Sequence, residues 1–259
     1  MKWCIIIFLL PLCASAQFKK INSFEVKENI VFSAVDRPGD LYVVLHSGMI
    51  QRYSVDGVLL ASSANSPLLT LFDPRDGSRL FTYKRATQSY QLLSPLLDEV
   101  SVTKINQAFA IAPYLVCTFG DQGLVILDSA DWSVKRVNIS TAIINMEVSL
   151  QSLLPKKPNI TFIREYQNFI FLCDKDEGIM ILNNIGKLIK TIAVKNLTSF
   201  NFLGEELYYV QDGVLKFMDL FTAEPRTMEL PEVCDVALIT DERLYLIRQN
   251  KVSIFTLKL

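Results

Sequence analysis

The densest group of side chains able to bind a cation is a run of carboxylates, Asp174, Asp176 and Glu177. Hard divalent cations such as Ca²⁺ need several oxygen ligands that converge on one point. Asp121 and Asp212, in similar turns elsewhere in the chain, would have to supply the remaining ligands. Acidic residues are also common in turns because turns are solvated and Asp tolerates their backbone angles. We favour this second interpretation, and the sequence predicts no metal and no other cofactor.

Candidates for catalytic chemistry are few. The chain has one histidine, His46, so a histidine-dependent acid or base would have to be this residue in a polar turn. Three of the five cysteines lie after residue 16, namely Cys117, Cys173 and Cys234. Their odd number argues against a disulfide framework, and their scatter beside a single histidine argues against a zinc site. We therefore expect buried free thiols, identify no catalytic residue, and favour a binding protein over an enzyme.

A repeated strand–turn–strand pattern would position these residues. Six segments combine an aromatic-rich apolar strand, a tight polar turn and a second alternating strand, and they begin at residues 41, 80, 114, 169, 207 and 244. β-Branched and aromatic residues on both sides of Gly, Asn or Asp are typical of β-hairpins. The spacings of 39, 34, 55, 38 and 37 residues lie near the period of a four-stranded propeller blade. The sequence thus predicts an all-β protein, a six-bladed β-propeller with four antiparallel strands per blade.

The two ends of the chain are predicted to close the ring. The last hairpin ends at Leu259 without an outer strand, and the first blade does not need residues 18–26. We expect this N-terminal segment to be the fourth strand of the last blade, because the pairing removes two exposed sheet edges. A seven-bladed ring would require the gap before Ile160 to supply a blade, and that gap is too short for four strands.

One face of the ring, here called the upper face, carries the turns between second and third strands and the connections between blades. Its candidate binding residues, all placed in such turns, are His46, Arg85, Asp121, Asp174, Asp176, Glu177 and Asp212. The longest connection between blades, residues 140–159, also lies there with Lys156 and Lys157, and loops of this length are often functional. When the six hairpin segments are aligned, Cys117 and Cys173 occupy equivalent places in neighbouring blades, and this separation is beyond the reach of a disulfide.

Segments such as 41–60 and 169–192 resemble the repeats of six-bladed propellers of the NHL and gluconolactonase-like kind. The resemblance spans nearly all of the chain after the N-terminal stretch, and it implies the fold without specifying a function. The Trp-Asp and Gly-His signatures of WD40 blades are absent from the sequence. Gluconolactonase-like propellers hold a metal with inner-strand carboxylates and an asparagine, whereas the inner strands predicted here are mostly apolar and match none of those ligands.

The N-terminus has the three parts of a secretory signal: Lys2, an apolar stretch at 5–12 and the tripeptide Ala14-Ser15-Ala16. We expect cleavage after Ala16, with residues 17–259 forming one propeller domain in the periplasm or outside the cell, not inserted in a membrane. An uncleaved anchor is the alternative. Lys and Arg number 26 and Asp and Glu 27, without a long run of one sign, which argues against a nucleic-acid partner.

Two functions are compatible with this pattern. The favoured one is a non-catalytic, monomeric binding or scaffold propeller that recognises a protein or glycan partner through its upper-face loops. The alternative is a metal-dependent hydrolase or lactonase with a site at the mouth of the central channel. Fold alone does not decide between them, because propellers of both kinds exist.

Overall fold

Alternating apolar and polar residues, separated by short polar turns, form 24 β-strands within residues 18–154 and 156–257, the part described by this computed structural model. The strands make six separate four-stranded antiparallel sheets, each one blade of a propeller. The predicted six-bladed fold is confirmed. The proposed signal peptide, residues 1–16, lies outside the described residues, so its cleavage stays a prediction.

Each blade runs from an inner strand beside the central channel to an outer strand at the rim. The strand nearest the N-terminus is β1 (Lys19–Glu25). Blade 1 consists of β2 (Ile30–Val35), β3 (Leu41–Leu45), β4 (Ile50–Tyr53) and β5 (Leu59–Ser62), and blade 2 of β6 (Leu71–Asp73), β7 (Leu80–Lys84), β8 (Ser89–Leu93) and β9 (Glu99–Lys104). Blade 3 consists of β10 (Pro113–Phe119), β11 (Gly123–Asp128), β12 (Ser133–Asn138) and β13 (Ile143–Ser149). Blades 4 and 5 consist of β14 (Ile160–Tyr166), β15 (Phe169–Asp174), β16 (Gly178–Leu182) and β17 (Leu188–Ile192); and β18 (Asn201–Leu203), β19 (Glu206–Gln211), β20 (Val214–Asp219) and β21 (Pro225–Glu229). Blade 6 consists of β22 (Val236–Ile239), β23 (Arg243–Arg248) and β24 (Lys251–Thr256), with β1 as its outer strand.

The N-terminal strand closes the ring as predicted. β1 pairs antiparallel with β24 along its length, from Lys19 opposite Thr256 to Glu25 opposite Lys251. The ring of Phe24 also stacks on Tyr53 of blade 1, with 4.5 Å between ring centroids. β1 therefore completes blade 6 and also packs it against blade 1.

Buried tyrosines join neighbouring blades. The second strands of blades 1, 2, 5 and 6 bury Tyr42, Tyr83, Tyr208 and Tyr245 almost completely. A buried hydroxyl needs a hydrogen-bond partner. Three of these tyrosines find it in the next blade: Tyr83 donates to the carbonyl of Pro113, Tyr245 donates to the carbonyl of Gly39, and Tyr208 accepts the N–H of Ile239. The Leu-Tyr and Leu-Phe-Thr-Tyr segments of the repeat thus supply polar contacts between blades as well as core volume.

Blade 3 differs from the predicted strand order. The hairpin at 114–127 comprises the first and second strands of its blade, β10 and β11, and not the second and third. The prediction of one long connection at 140–159 is wrong for the same reason, because Ile143–Ser149 forms the outer strand β13. Both kinds of hairpin have the same apolar alternation and the same polar turn, so local sequence does not distinguish them.

This shift changes the place of two predicted residues. Asp121 lies in the turn between a first and a second strand, on the lower face, which carries these turns and those between third and fourth strands. Cys117 lies on a first strand and Cys173 on a second strand, so they are not equivalent. The expectation of buried free thiols is confirmed for Cys117, Cys173 and Cys234.

The central channel is closed by aromatic side chains. Phe32 of blade 1 and Phe162 of blade 4 come from opposite sides of the ring, and their centroids are 6.1 Å apart. Phe200 of blade 5 packs edge-on against Phe162 at 5.2 Å. The channel is therefore blocked at this level, and a pocket opens below it.

Candidate functional site

The densest group of carboxylates shapes a turn. Asp174 is buried at the end of β15, and its carboxylate accepts the backbone N–H groups of Asn159, Asp176 and Glu177 at 2.8 to 3.0 Å. Gly178 completes the turn with φ of 106°, a backbone angle that side chains disfavour. Asp174 thus holds the turn and the preceding connection in place, and its oxygens are not directed toward an open site.

Blade 3 uses the same arrangement. Asp128 is fully buried at the end of β11, and its carboxylate accepts the N–H groups of Ile111, Ala112 and Ala130. Lys135 adds a charged hydrogen bond at 3.2 Å. Burial by itself would raise the pKa of Asp128, but these donors outweigh it and hold the pKa below its usual range. This residue was not selected from the sequence.

The predicted carboxylates do not converge on a cation site. Asp121 lies on the lower face, is highly exposed and pairs with Arg79 at 3.2 Å. Asp176 is exposed and accepts a hydrogen bond from the Asn159 side chain, and Asp212 is exposed in the turn between β19 and β20. Within residues 18–154 and 156–257, no group of three or more His, Cys, Asp or Glu side chains is close enough together to hold a metal ion.

The single histidine is a turn residue. His46 is exposed at the end of β3, where its backbone N–H donates to the carbonyl of Asn29. Its neighbour Ser47 donates a backbone N–H to the Glu28 carboxylate at 2.8 Å. The donors in both hydrogen bonds are backbone N–H groups of the turn, and the His46 imidazole takes part in neither.

A row of alternating basic and aromatic side chains crosses the upper face over blades 2 and 3. The guanidinium of Arg85 lies 3.5 Å from the centroid of the Tyr114 ring, and its Nε donates to the Tyr114 carbonyl at 2.7 Å. Tyr114 packs against Trp132 with 5.8 Å between centroids, and the Lys157 ammonium lies 5.5 Å from the Trp132 ring. Cation–π contacts of this kind hold the four side chains in a defined order.

Two exposed apolar residues belong to the same region. Leu68 and Ile111, in the connections that enter blades 2 and 3, are 72% and 73% exposed. Leu68 is linked to Arg85 through Thr70, whose Oγ1 accepts the Arg85 N–H. We call Leu68, Arg85, Ile111, Tyr114, Trp132 and Lys157 the upper-face patch.

The backbone of this patch is strained. Leu68 and Trp132 have positive φ angles of 68° and 55°. Bulky residues rarely adopt this conformation, and such strain is found most often where structure serves binding or catalysis. The fold therefore holds Leu68 exposed and Trp132 half-buried at this surface, at a cost in backbone energy.

The upper-face patch contains two of the predicted site residues, Arg85 and Lys157, and exposed Lys156 is adjacent to it. The other predicted residues lie elsewhere. Tyr114 and Trp132 were missed because the strand order of blade 3 was wrong, so the turn that carries Trp132 was not considered. The signal available in the sequence was a tryptophan inside a short polar turn, Asp131-Trp132-Ser133.

Comparison with known proteins identifies the fold and no family. No family model matches the chain, and no curated protein matches its sequence. Among solved structures, the Pan2 WD40 domain of Neurospora crassa has a TM-score of 0.63 at 8% identity, covering 92% of this chain and 95% of that one. Virginiamycin B lyase from Staphylococcus aureus has a TM-score of 0.57 at 12% identity, covering 93% and 100%. The protein is a β-propeller.

A streptogramin B lyase is similar to the same extent, with a TM-score of 0.59 at 10% identity over 94% of this chain and 98% of that one. The six-bladed architecture implied by the resemblance to NHL and gluconolactonase-like repeats is thus present, and these identities show the fold alone. In the described ranges, no helix is long and apolar enough to span a bilayer.

Proposed function

We propose that this propeller is a non-catalytic binding module that recognises a protein partner through the upper-face patch. The row formed by Arg85, Tyr114, Trp132 and Lys157 carries this proposal. Trp, Tyr and Arg are the residues that most often dominate the energy of protein interfaces. Because packing within the row already orders these side chains, less conformational entropy is lost when a partner binds.

The charge of the patch favours an acidic partner. Arg85 and Lys157 lie at its two ends, and Lys156 is exposed beside it. Basic residues around an aromatic centre favour encounter with acidic surfaces and set orientation. A glycan is the other partner class compatible with exposed aromatic rings, and binding studies distinguish the two.

Two observations support binding over the hydrolase or lactonase alternative. The Phe32–Phe162 contact blocks the channel, and the described carboxylates form no metal-binding group. In the structurally similar virginiamycin B lyase, a variant with one histidine replaced by alanine is catalytically inactive. The single histidine of this chain, His46, lies in an exposed turn. From the signal-like N-terminus we propose that the protein acts in the periplasm or outside the cell, as a monomer.

Trp132→Ala tests the proposal. Partner proteins are captured on the immobilised parent from an extracellular or periplasmic extract, and their affinities for the parent and the variant are measured by biolayer interferometry. We expect Trp132→Ala to weaken binding by about 2 kcal/mol, roughly thirtyfold, the size of an interface hot spot.

The matched control is Phe221→Ala, which removes an aromatic side chain, 63% exposed, from a lower-face turn. It should bind the partner like the parent, and both variants should remain folded at the temperature of the binding assay. Equal binding by Trp132→Ala and the parent would overturn the proposal. Binding of purified glycans that depends on Trp132, without any protein ligand, would replace the protein partner with a glycan.

A further inference from the structure

The lower mouth of the channel is a pocket of about 400 Å³. Side chains from blades 1, 2, 4, 5 and 6 line it, and the contact between Phe32 and Phe162 closes the channel above it. Pockets of this size accommodate small organic molecules. The pocket is on the face opposite the upper-face patch, so it is a separate feature of the molecule.

A buried arginine faces this pocket. Phe162, Arg164 and Tyr166 alternate along the inner strand β14 and therefore point to the same side of the blade, toward the channel. Arg164 is only 4% exposed, and it lines the pocket. Among the described residues its guanidinium has one hydrogen-bond acceptor, the side-chain oxygen of Asn201 at 2.9 Å from Nη1. The remaining N–H groups of the fork are free to bind a ligand in the pocket.

The carboxylates nearest to Arg164 along these strands are paired with other arginines. Arg75 donates to both carboxylate oxygens of Asp73, and Arg136 lies 3.6 Å from the Glu165 carboxylate. Within residues 18–154 and 156–257, no carboxylate lies within 4.0 Å of Arg164. Asp73 and Glu165 therefore each have an arginine partner other than Arg164.

Burial of the Arg164 charge is unfavourable. Desolvation lowers the pKa of Arg164 to about 10, although the nearby charge of Asp73 opposes the shift. The group stays protonated at neutral pH, and a buried cation without a paired anion costs free energy. An anion in the pocket would relieve this cost.

We propose that the pocket binds a small organic monocarboxylate, whose carboxylate pairs with Arg164 while Asn201 holds the guanidinium in position. A guanidinium fork matches the two oxygens of a carboxylate. The pairing forms no covalent bond and needs no second reactant. The ligand is thus held by one charged contact at the inner end of the pocket.

The rest of the pocket specifies the ligand further. Arg164 is a single positive charge without a paired carboxylate, which one carboxylate group of a ligand matches. The rim carries Asp36, Asp241 and Glu242 against Arg37 and Arg243, which disfavours multiply charged anions such as phosphate. One wall contains Tyr166 stacked on Phe202, with 4.2 Å between centroids and 9° between planes. This flat aromatic wall favours a planar or apolar body attached to the carboxylate.

Benzoate is the probe, because it combines one carboxylate with a flat apolar ring. Benzamide is the neutral control of the same shape, and inorganic phosphate is the multiply charged control. Calorimetric titration of the parent protein should show saturable benzoate binding with little or no binding of benzamide and phosphate. Benzoate should also raise the melting temperature in proportion to the logarithm of its concentration above the dissociation constant.

Two variants assign the binding to Arg164. Arg164→Gln should reduce benzoate affinity by roughly tenfold to hundredfold, the range for a charge-assisted hydrogen bond. Asn201→Asp places a carboxylate beside the guanidinium and should compete with benzoate internally. It should therefore melt at a higher temperature than the parent and bind benzoate at least about tenfold more weakly.

Several results would overturn this inference. Among them are an absence of benzoate binding at roughly 10 mM, equal binding of benzamide, stronger binding of phosphate, or parental benzoate affinity in Asn201→Asp. The last result keeps the test decisive even if Arg164→Gln does not fold. Trp132→Ala should bind benzoate like the parent, so failure at one face is distinguished from failure at the other.

Discussion

Asp128 illustrates how single buried carboxylates organise the upper face. Its side chain joins the connection that enters blade 3 to the turn that carries Trp132, through the N–H groups of Ile111, Ala112 and Ala130. Asp174 does the same in blade 4. In the proposed binding function these residues act indirectly, because they hold the loops that present the upper-face patch.

Asp128→Ala should lower the free energy of unfolding by about 3 kcal/mol, since it leaves backbone donors and Lys135 without their acceptor. The control is Glu147→Ala, which removes an exposed carboxylate 3.6 Å from the same lysine. It should cost at most about 0.5 kcal/mol, as expected for an exposed ion pair. Urea unfolding at pH 7 measures both values. Equal losses in the two variants would contradict the structural role of Asp128.

The effect of Asp128 also depends on pH. The folded-state pKa lies below the ordinary value, so the ionised form stabilises the fold above the unfolded pKa of about 3.9. As pH falls through the folded pKa, this contribution is lost. The difference in unfolding free energy between the parent and Asp128→Ala should therefore shrink below about pH 4. A difference that stays constant down to pH 2 would contradict this assignment.

A single strand, β1, closes the ring. β1 supplies the outer strand of blade 6, Phe24 stacks on Tyr53 of blade 1, and the Asn22 side chain donates to the Asp56 carbonyl. Closing a ring with strands from both ends of the chain couples the first and last blades. The same segment follows the predicted signal, so a new N-terminus after Ala16 would leave it intact.

A chain that begins at Lys27 should lose at least about 3 kcal/mol of unfolding free energy, because a strand and a stacked ring are removed. For a domain of this size that loss lowers the melting temperature by about 6–12 °C. A peptide with the sequence of residues 17–26 should restore stability, and a scrambled peptide should not. A truncated chain that melts like the parent would show that closure by β1 is not needed.

Blade 3 shows what local pattern leaves undecided at this scale. Residues 114–127 read as a hairpin, and they form one. Whether a hairpin contains the inner strand of its blade depends on how far its strands lie from the channel, which only the tertiary structure determines. Because the predicted strand order of blade 3 was shifted by one strand, Asp121 was assigned to the wrong face and the turn that carries Trp132 was not considered.

For the whole molecule, the two faces of the ring have different chemistry. The upper face presents an aromatic and basic patch, and the lower mouth contains a pocket with Arg164 at its inner end. The aromatic contact in the channel separates them. We therefore expect partner binding above and carboxylate binding below to be measurable independently.

Metal addition tests the alternative function at this scale. Because the described side chains form no metal-binding group, Ca²⁺ or Zn²⁺ at about 1 mM should leave the melting temperature unchanged within about 1 °C. Benzoate, under the same conditions, serves as the comparison ligand. A saturable shift with one metal, reversed by a chelator, would revive the hydrolase or lactonase alternative.

The sequence by itself determined the class of fold, the number of blades and the closure of the ring, because the repeat spacing and strand alternation are local signals. It also predicted Arg85 and Lys157 as binding residues, and this role stays a prediction. Only the tertiary structure decided which strand of each hairpin is innermost, which face each turn occupies, and that Phe32 meets Phe162. It alone placed Arg164 beside the pocket without a counter-ion, since charge balance depends on contacts among strands distant in the chain.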